Sequence, residues 1–499
     1  MELARLCDGT GILVPEKDKT IEIGGICTDS RKVKKGDLFI CIRGLTADGH
    51  DYIADAQNRG AAVILADHRY GGSEQIPMLR VEDTRRGAAL LYDAWYGHPT
   101  KKLKLVAVTG TNGKTSVTFM LRAIFEAAMH RCGLIGTVSC YSAGRKLSIR
   151  ADNPLANMTT PDPSELYQIL AKMADDGVEY VFMEATSHAL ALSKLDAIRF
   201  SAAVFTNLTP EHLDFHSDME DYFAAKKKLF SMCDKAIVNV DDAYGRRLLE
   251  NVSCPVVTCS AGGGPAHYTA TQIRDCGVDG SEYKLVSQNH HFTVRTPIPG
   301  AFNVINTLEA AATALTLGIS PSAIMTALGT LVGIDGRMER VKLGAIADFS
   351  VFIDYAHTPD ALENLLATAR HLRKARERVV VVFGCGGDRD KSKRKRMGEI
   401  ASRLADFIIV TSDNSRSEDP MRIIEEILSG IEKGSDYIII PERRRAVEFA
   451  IREAHGEDII LLAGKGHEEY EIDASGKHYF SERQIAAEAA GKYHIPSEF

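Results

Sequence analysis

Residues 106–116 read Val106-Ala107-Val108-Thr109-Gly110-Thr111-Asn112-Gly113-Lys114-Thr115-Ser116. An apolar run leads into a glycine-containing loop, and the segment after it has the periodicity of an amphipathic helix. This order is typical of a phosphate-binding loop, because backbone N–H groups and a helix N-terminus can then face an anion. The stretch predicts an α/β domain with a parallel sheet, in which residues 110–116 bind a nucleoside triphosphate.

Two side chains of this loop have predicted roles. Lys114 is expected to reach the terminal phosphates, and the Thr115 hydroxyl can ligate Mg²⁺. Val108 stands where the full eight-residue motif carries glycine, so the loop is a shortened variant. The alternative interpretation is a glycine turn that enters a helix beside an unrelated lysine.

Two polar clusters follow apolar runs farther along the chain. Glu184 comes shortly after residues 180–182, which places it at the carboxyl end of a predicted strand. His212 lies in a second cluster, residues 206–216. Ligands of α/β proteins collect at strand carboxyl ends, and a carboxylate and a histidine near a triphosphate are candidate Mg²⁺ ligands. Read alone, each histidine would be a surface or structural residue.

The length of 499 residues is too great for one hydrophobic core and suggests about three domains. A polar, proline-containing stretch near residue 98 and a glycine-containing stretch near residue 336 resemble joints. We therefore place the domains at residues 1–98, 99–336 and 337–499. Strand-like runs alternate with helical segments, which predicts parallel sheets built from βαβ units. In the last third, the predicted strands are Val379–Phe383, Asp406–Val410, Tyr437–Ile440 and Ile459–Ala463.

Composition limits the partners and the compartment. The formal net charge of −7 excludes a protein built to coat nucleic acid or an acidic membrane, so positive charge must be local. The ten cysteines are scattered without a CxxC pair, which argues against a zinc or disulfide framework. The N-terminal residues lack the apolar region of a signal peptide, and no run approaches the ~20 apolar residues of a membrane helix. We expect a reduced, cytoplasmic protein without membrane insertion.

The sequence resembles the Mur ligases of peptidoglycan synthesis over nearly its whole length. The motifs that carry the resemblance are 110–116, 183–190, 206–216, 222–230, 300–306, 336–339, 354–360, 383–390 and 463–468, with 28–31, 36–39 and 48–50 upstream. The resemblance implies an N-terminal α/β domain that binds a uridine nucleotide, a central P-loop ATPase-like α/β domain and a C-terminal Rossmann-like α/β domain.

Similarity to this family implies an ATP-dependent amide ligase that uses Mg²⁺. The γ-phosphate would pass to the D-glutamate side-chain carboxylate of UDP-N-acetylmuramoyl-L-alanyl-D-glutamate, and an amine would attack the acyl phosphate. A carboxylate is a poor electrophile, so catalysis depends on phosphorylation, charge neutralisation and positioning. The expected partners are these small molecules and a diamino acid, with no nucleic acid, and the expected oligomeric state is a monomer.

The resemblance also assigns roles to single residues. The catalytic residues that it implies are Lys114, Glu184, His212 and Lys226. The metal-binding residues that it implies are Thr115, Glu184, His212 and Lys226. Lys226 stands where the family carries a carbamoylated lysine, although by composition alone residues 226–228 would form a solvated basic helix face. The residues that resemble the adenine, phosphate and ribose contacts are Asn306, Arg337 and Asp354.

The sequence departs from the family in the pocket for the nucleotide-sugar peptide. Met158 precedes the two threonines where the family has asparagine, Leu192 replaces glutamine, and Lys194 replaces arginine. Leucine lacks the amide hydrogen bonds, and lysine keeps the charge without the planar fork. We expect a slightly altered pocket. The residues expected to contact this substrate are Ser30, Arg31, Thr159, Thr160, Thr186 and Lys194.

The expected acceptor is meso-diaminopimelate, and L-lysine is the alternative. Family members that add diaminopimelate carry Asp-Asn-Pro-Arg in a loop that here reads Asp413-Asn414-Ser415-Arg416. Diaminopimelate has a second carboxylate at its far end, and a guanidinium is its natural bidentate partner. Ser415 replaces the proline, so the loop loses one fixed φ angle. The residues expected to contact the acceptor are Arg389, Asp413, Asn414, Ser415, Arg416, Gly464 and Glu468.

Two other functions stay open on the sequence. One is a folylpolyglutamate synthetase-like ligase, which the Asp29-Ser30-Arg31 stretch and a separate N-terminal domain disfavour. The other is a catalytically silent nucleotide-binding regulator. Such a regulator would lack one of the four implied catalytic residues, and all four are present.

Overall fold

The computed structural model describes residues 1–44, 47–72, 76–138, 140–147, 158–213, 215–331, 333–343, 348–373 and 377–494. The chain divides into two compact units. The first contains Met1–Tyr268 with Glu309–Ala323, and the second contains Thr269–Leu308 with Ile324–Phe499. The three domains with boundaries after residues 98 and 336 stay a prediction.

The N-terminal elements form a four-stranded parallel sheet with flanking helices. Its strands lie in the order β1-β2-β3-β4. Every residue of β2 and β3 is buried, as is usual for parallel strands that are covered on both faces. The elements are α1 Leu3–Cys7, β1 Gly25–Cys27, β2 Asp37–Ile40, α2 Ile53–Asn58, β3 Val63–Asp67, β4 Met78–Val81 and α3 Thr84–Trp95.

A larger sheet follows within the first unit. Its elements are β5 Lys104–Thr109, α4 Lys114–Ala127, β6 Cys132–Ile135, β7 Cys140–Ser142, β8 Arg145–Lys146, α5 Pro163–Asp175, β9 Tyr180–Glu184, α6 Ser187–Ala191, β10 Ala202–Phe205, α7 Met219–Lys227, β11 Ala236–Asn239, α8 Ala243–Leu248 and β12 Val256–Ser260. The strand order is β12-β11-β10-β5-β9-β6-β7-β8, and the first six of these strands are parallel. The carboxyl ends of β5, β9 and β10 therefore lie side by side at one edge, where α/β proteins bind ligands.

The remaining elements include a third sheet, which is mostly parallel. They are β13 Tyr268–Asp275, β14 Ser281–Val286, β15 His291–Thr296, α9 Ala301–Thr316, α10 Pro321–Thr330, β16 Glu339–Arg340, β17 Ser350–Asp354, α11 Pro359–Leu372, β18 Val379–Phe383, α12 Ser392–Leu404, β19 Phe407–Val410, α13 Pro420–Leu428, β20 Tyr437–Ile439, α14 Arg443–Arg452, β21 Ile459–Ala463, β22 Tyr470–Asp473, β23 Gly476–Tyr479 and α15 Glu482–Tyr493. The sheet order is β16-β17-β21-β18-β19-β20, with only β16 antiparallel.

This third sheet is covered on both faces. Alternate residues of β18 pack into two different apolar clusters, with Val381 and Phe383 in one and Val380 and Val382 in the other. The predicted α/β class with parallel sheets is confirmed. Two of the four strands predicted in this region have the observed bounds, β19 begins one residue later than predicted and β20 ends one residue earlier.

Two observations bear on the compositional expectations. All ten cysteines are free thiols. Across the described ranges, no helix combines the length and the apolar character that a membrane span requires.

The side chain of Glu309 in α9 is completely buried. Neither of its carboxyl oxygens has a hydrogen-bond partner within the described residues. Burial raises the pKa of Glu309 well above its ordinary value, and the charges of Asp241 and Asp242 raise it further. The native state therefore keeps this proton at a pH where the unfolded chain releases it. The contribution of Glu309 to stability is present below the unfolded-state pKa and is lost as pH rises toward the native pKa.

Replacement of this residue gives a pH-dependent prediction. We expect Glu309→Gln to gain stability over the parent protein as pH rises above about 4.5, with a slope of at most about 1.4 kcal/mol per pH unit. Urea unfolding at pH 5, 6, 7 and 8 measures the difference, and Glu425→Gln on the exposed side of α13 is the control. A difference that stays constant over this range contradicts the prediction.

Candidate functional site

The phosphate-binding loop joins β5 to α4 and is fixed by two residues that follow β10. The Thr206 hydroxyl donates to the carbonyl of Asn112 at 2.6 Å, and the Asn112 N–H donates to Asn207 Oδ1 at 2.9 Å. A Cβ at Gly110 would lie 1.9 Å from Thr206 Oγ1, so this close approach requires glycine. Gly113 has φ 87° and ends the loop in the left-handed region, which glycine adopts without strain.

Lys114 opens α4 and folds back over the loop. Its Nζ donates to the carbonyls of Gly110 at 2.9 Å and Thr111 at 2.7 Å. The sequence predicted a strand, a glycine loop and a helix here, and the structure has β5 ending at Thr109 and α4 beginning at Lys114. The N-terminus of α4 and the Lys114 ammonium together provide positive potential at the loop.

Glu184 ends β9 beside this loop, as its position after an apolar run predicted. Its side chain is 1% exposed and accepts three hydrogen bonds. The Thr115 hydroxyl donates to Oε1 at 3.0 Å, the Thr137 N–H donates to Oε1 at 2.9 Å, and the Thr137 hydroxyl donates to Oε2 at 3.0 Å. A Cβ at Gly136 would lie 2.4 Å from Oε1, so Gly136 makes room for the carboxylate.

The oxygen atoms of Thr115 and Glu184 fit a Mg²⁺ ion. Mg²⁺ prefers hard oxygen ligands and usually combines one or two protein groups with water and phosphate oxygens. Within the described part of the chain, no group of three or more His, Cys, Asp or Glu residues is arranged to hold a metal. Thr115 and Glu184 therefore fit a metal ion that also binds a phosphate ligand. Among the described residues, no set of protein ligands is arranged to bind a metal without such a partner.

Thr137 is a site residue that sequence reasoning missed. It follows β6, the strand next to β9, so its position at the same sheet edge was the available signal. We expect Thr137→Val to lower the free energy of unfolding by about 1.5–3 kcal/mol, because a buried carboxylate then loses a hydroxyl donor. Thr137→Ser keeps the donor and is the matched control in urea denaturation. Equal stability of the two variants would contradict this assignment.

Lys226 in α7 lies against the same loop. Its Nζ donates to the Gly110 carbonyl at 2.9 Å and lies 4.6 Å from the centre of the Tyr222 ring. The side chain is 1% exposed, and burial, together with the charge of Lys114, lowers the pKa of Lys226 well below its ordinary value. A solvated basic face does not describe this residue.

The two lysines that follow it have different surroundings. Lys228 Nζ contacts the carbonyl of Leu190, Ser193 Oγ and Asp196, so it anchors the end of α6. Lys227 is half-buried. Of the three consecutive lysines, the structure therefore brings Lys226 to the phosphate-binding loop.

Histidines cluster at the loop after β10. The His212 backbone is left-handed with φ 58°, and its Nε2 lies 3.7 Å from Glu211 Oε2. The ring of His188, at the start of α6, stands edge-on to His212 with 4.9 Å between ring centres. His216 is buried and its Nδ1 lies 3.1 Å from Asp221 Oδ2. Asp214, named in the motif, lies outside the described residues.

Three predicted contacts of the nucleotide-sugar peptide adjoin Glu184. The Thr160 hydroxyl donates to the Glu184 carbonyl at 2.8 Å and lies 3.2 Å from Thr186 Oγ1. Thr159 Oγ1 is 2.9 Å from Thr137 Oγ1. The structure thus brings these three threonines to the carboxyl end of β9.

The residues that depart from the family pattern include a contacting pair. Lys194 Nζ lies 2.7 Å from Asp162 Oδ1 and 3.6 Å from the sulfur of Met158. Leu192 is the C-cap residue that follows α6. The lysine charge is therefore neutralised by Asp162, an acidic residue that sequence reasoning had not considered.

The predicted uridine contacts follow β1. Ser30 is buried, whereas Arg31 is exposed. The Arg31 guanidinium donates to both carboxylate oxygens of Asp29 at 2.9 Å. Asp29 thus fixes the direction of the guanidinium.

The predicted nucleotide contacts of the second unit are three polar groups. Asn306 is buried in α9, where its Nδ2 donates to Asn303 Oδ1 at 3.1 Å. Burial raises the pKa of Asp354. The charge of Arg337 and the hydrogen bond from the Met338 N–H act in the opposite direction. The Arg337 guanidinium stacks 5.3 Å from the centre of the Tyr355 ring, and its Nε has no hydrogen-bond partner within the described ranges.

Asn414 is the centre of the predicted acceptor site. Its Nδ2 donates to Glu468 Oε2 at 2.8 Å, and its Oδ1 accepts from Lys465 Nζ at 3.1 Å and from the Ile472 N–H at 2.9 Å. Because Asn414 is held through both ends of its amide, its orientation is fixed. Burial and the charge of Asp413 raise the pKa of Glu468.

Two buried cations surround Asp413. Lys465 Nζ lies 3.3 Å from Asp413 Oδ1 and is fully buried. Burial opposes ionisation of Asp413, but Lys465 and Arg443 outweigh it and lower the pKa of this carboxyl. A Cβ at Gly464, where φ is 113°, would lie 3.0 Å from Asp413 Oδ2. Neither cation was predicted as a site residue, although Lys465 lies within the motif at residues 463–468.

The two predicted carboxylate-binding arginines lie on loops that follow adjacent strands. Arg416 has φ 52°, and its Nη1 donates to the carbonyls of Gly387 at 2.8 Å and Asn414 at 3.3 Å. Arg389 is exposed in the loop after β18, and Ser415 is buried in the loop after β19. The structure therefore brings the acceptor residues to the carboxyl ends of β18, β19 and β21.

Family models and full-length relatives match this chain. The model of the Mur ligase middle domain matches residues 108–314, that of the Mur ligase glutamate ligase domain residues 336–466, and that of the Mur ligase family catalytic domain residues 22–86. The UDP-N-acetylmuramoyl-L-alanyl-D-glutamate--2,6-diaminopimelate ligase of Syntrophomonas wolfei subsp. wolfei is 41% identical over 497 residues, covering 98% of this chain and 99% of that protein. The ligase of the same name from Clostridioides difficile is 39% identical over 496 residues, covering 99% and 100%. A solved structure of a protein with that name is 29% identical, has a TM-score of 0.71, and covers 99% of this chain and 100% of its own.

Proposed function

This chain belongs to the Mur ligase family, and from that premise we propose that it is an ATP-dependent ligase that adds meso-diaminopimelate to UDP-N-acetylmuramoyl-L-alanyl-D-glutamate. Relatives that cover nearly the whole chain carry the name of that ligase. The structural observation that carries the proposal is the contact of buried Lys226 with the phosphate-binding loop at Gly110. It places a second lysine beside Lys114, where a triphosphate would be held.

The reaction must turn a carboxylate into an electrophile. The D-glutamate side-chain oxygen attacks the γ-phosphorus of ATP, and ADP leaves. The neutral amine of diaminopimelate then attacks the acyl carbon, loses a proton, and inorganic phosphate leaves. Phosphoryl transfer of this kind depends on positioning and on neutralising charge. In this proposal Lys114, the loop N–H groups and the N-terminus of α4 supply that neutralisation.

Thr115 and Glu184 are the residues proposed to hold Mg²⁺, with His212 as a further ligand. The ion would neutralise phosphate charge and orient the oxygens for in-line transfer. Thr137 keeps the Glu184 carboxylate facing Thr115, because it donates to both carboxylate oxygens. This arrangement is consistent with the hard-oxygen preference of the ion.

Lys226 is proposed to act as a carbamate. Its lowered pKa makes the neutral amine available, so the nitrogen lone pair can form a bond to the carbon of CO₂ while the nitrogen loses a proton. The product is an anion with two oxygens, which can ligate a cation. The ammonium form would instead repel both Lys114 and a metal. Carbamoylation therefore replaces a group that would repel Lys114 and a metal when protonated by an anion that attracts both, and it adds a ligand at the same position.

The other substrates are proposed to use the groups that the structure orients. Asn306, Arg337 and Asp354 would contact the adenine, phosphate and ribose of the nucleotide. For the nucleotide-sugar peptide, the proposed contacts are Ser30, Arg31, Thr159, Thr160, Thr186 and Lys194. For the acceptor, the proposed contacts are Arg389, Asp413, Asn414, Ser415, Arg416, Gly464 and Glu468.

The choice of diaminopimelate over lysine is supported by the charge of the acceptor loops. Arg416 and Arg389 can both meet the distal carboxylate of diaminopimelate, which lysine does not have. Asp413, whose pKa is lowered, is an anion suited to an ammonium group of either amino acid, and the Glu468 carboxyl adds further oxygen acceptors. A lysine-specific site would leave the half-buried Arg416 guanidinium without an anionic partner, which is costly away from solvent.

Phosphate release tests the proposal. The purified protein is mixed with ATP, Mg²⁺ and the UDP-muramoyl dipeptide, and either diaminopimelate, L-lysine or no amine is added. We expect phosphate release with diaminopimelate, little with lysine, and none without an amine. Release with a folyl substrate in place of the dipeptide would support the folylpolyglutamate synthetase-like alternative. The absence of release with every acceptor would support a catalytically silent protein.

A further inference from the structure

The loops that carry Arg389 and Arg416 are tied to each other. We call residues 384–391, between β18 and α12, the first acceptor loop, and residues 411–419, between β19 and α13, the second acceptor loop. The Gly387 N–H donates to the Asn414 carbonyl at 2.9 Å, and the Ser417 hydroxyl donates to Asp388 Oδ1 at 2.7 Å. A Cβ at Gly387 would lie 2.0 Å from the Ser415 carbonyl oxygen, so the loops are in close contact.

Arg394 lies beneath both loops at the start of α12. Its side chain is fully buried, and its Nη2 donates to the Gly386 carbonyl of the first loop at 3.1 Å. Its Nη1 and Nη2 each donate to one carboxylate oxygen of Glu418 in the second loop, both at 3.0 Å. Glu418 Oε1 in turn accepts from the Asp388 N–H at 2.6 Å. One guanidinium therefore connects the two loops through a bidentate pair.

This pair is unlike the surface ion pairs of the chain. The hydrogen bonds from Arg394 and from the Asp388 N–H lower the pKa of Glu418 to about 2, so the carboxylate is ionised at neutral pH. An arginine that is buried in an ion pair gains little net stability over apolar packing, because desolvation offsets the attraction. Its effect is geometric, since a planar fork fixes both the distance and the angle of its partner.

We propose that Arg394 is a positioning residue that sets the spacing of Arg389 and Arg416, and thereby the preference for an acceptor with a distal carboxylate. Arg394 has no role in the reaction steps proposed above. The inference rests on the proposed function of a ligase that adds diaminopimelate. The bidentate pair holds the second loop at Glu418, two residues beyond Arg416. The Gly386 contact holds the first loop three residues before Arg389. Loss of either contact removes one restraint between the loops and loosens the position of one guanidinium relative to the other.

The test compares three variants. Arg394→Lys keeps the charge but cannot form the bidentate pair, and Glu418→Gln keeps the shape but weakens the pair. Glu426→Gln is the matched control, because Glu426 also contacts Arg394 at 3.0 Å but lies in α13 outside both loops. If Arg394→Lys does not fold, Glu418→Gln tests the same ion pair, because Glu418 is the more exposed of its two partners.

We expect Arg394→Lys and Glu418→Gln to raise KM for diaminopimelate roughly tenfold or more, since small misplacements of binding groups have effects of this size. KM for ATP should stay within about twofold, and the ratio of kcat/KM for diaminopimelate to that for lysine should fall. Hydrogen exchange should become faster in residues 384–391 and 411–419 but not in β18. Glu426→Gln should resemble the parent protein in every measurement.

Each other outcome overturns a defined part of the account. Faster exchange with an unchanged diaminopimelate KM makes Arg394 merely structural and overturns the inference. Unchanged exchange, or equal changes in the KM values for ATP and diaminopimelate, also overturns it. A parent protein that neither binds diaminopimelate in calorimetry nor uses it overturns the proposed function, and this result is seen before any variant is compared.

Discussion

Replacement of Lys226 by methionine is expected to lower kcat by about 10²–10³-fold, the usual cost of removing one charged group that stabilises a transition state. Methionine has a similar length and suits a side chain that is 1% exposed, so the fold should persist. The loss arises because neither an ammonium nor a carbamate then lies at the phosphate-binding loop. Phosphate release at saturating substrates measures kcat, and thermal unfolding verifies that the variant is folded.

Lys227→Met is the matched control, because this residue is half-buried in the same helix and has no assigned role. Its kcat should stay within about twofold of the parent value. If Lys226 is carbamoylated, intact-mass measurement in bicarbonate buffer should show one added CO₂ that the Lys226→Met variant lacks. Full activity of Lys226→Met would contradict the role given to this residue.

Replacement of Arg416 by alanine is expected to lower kcat/KM for diaminopimelate by roughly 30- to 700-fold, which corresponds to about 2–4 kcal/mol for one partner of a desolvated charge pair. The distal carboxylate would lose its fork, while the carbonyls of Gly387 and Asn414 would lose a donor. Activity with lysine should change much less, because lysine has no distal carboxylate. The ratio of kcat/KM for diaminopimelate to that for lysine, measured by phosphate release, should therefore fall.

Arg422→Ala is the control for this variant, because Arg422 is exposed in α13 and has no assigned contact with the acceptor. Its preference for diaminopimelate should equal that of the parent protein. If Arg416→Ala lowers kcat/KM equally for diaminopimelate and lysine, Arg416 supports the loop and does not contact the distal carboxylate of the acceptor.

The parts of the candidate site that could be predicted from the sequence are those that depend on the order of residue types in a short stretch of chain. A strand, a glycine loop and a helix identify residues 110–116, and a polar residue after an apolar run identifies Glu184. Both features are visible in residues that are neighbours in the chain, and both elements have the predicted position. The resemblance to a family added Lys226, which composition would have assigned to a solvated face.

The residues that sequence reasoning missed act through contacts between distant segments. Thr137 reaches Glu184 across neighbouring strands, and Lys465 reaches Asn414 between loops. Arg394 contacts two loops that are far apart in the sequence, and no sequence periodicity relates them. Such partners depend on the order of strands in the sheet, which periodicity does not provide. The identity of a threonine or lysine at these positions carries no signal until that order is known.

The central claim is that the D-glutamate carboxylate is activated as an acyl phosphate, and oxygen transfer tests it most directly. The UDP-muramoyl dipeptide is labelled with ¹⁸O in the D-glutamate side-chain carboxylate and is turned over with ATP and diaminopimelate. Mass spectrometry of the released inorganic phosphate should show one ¹⁸O atom per phosphate, because the attacking carboxylate oxygen leaves with phosphorus. Unlabelled phosphate, or label in AMP, would contradict the account.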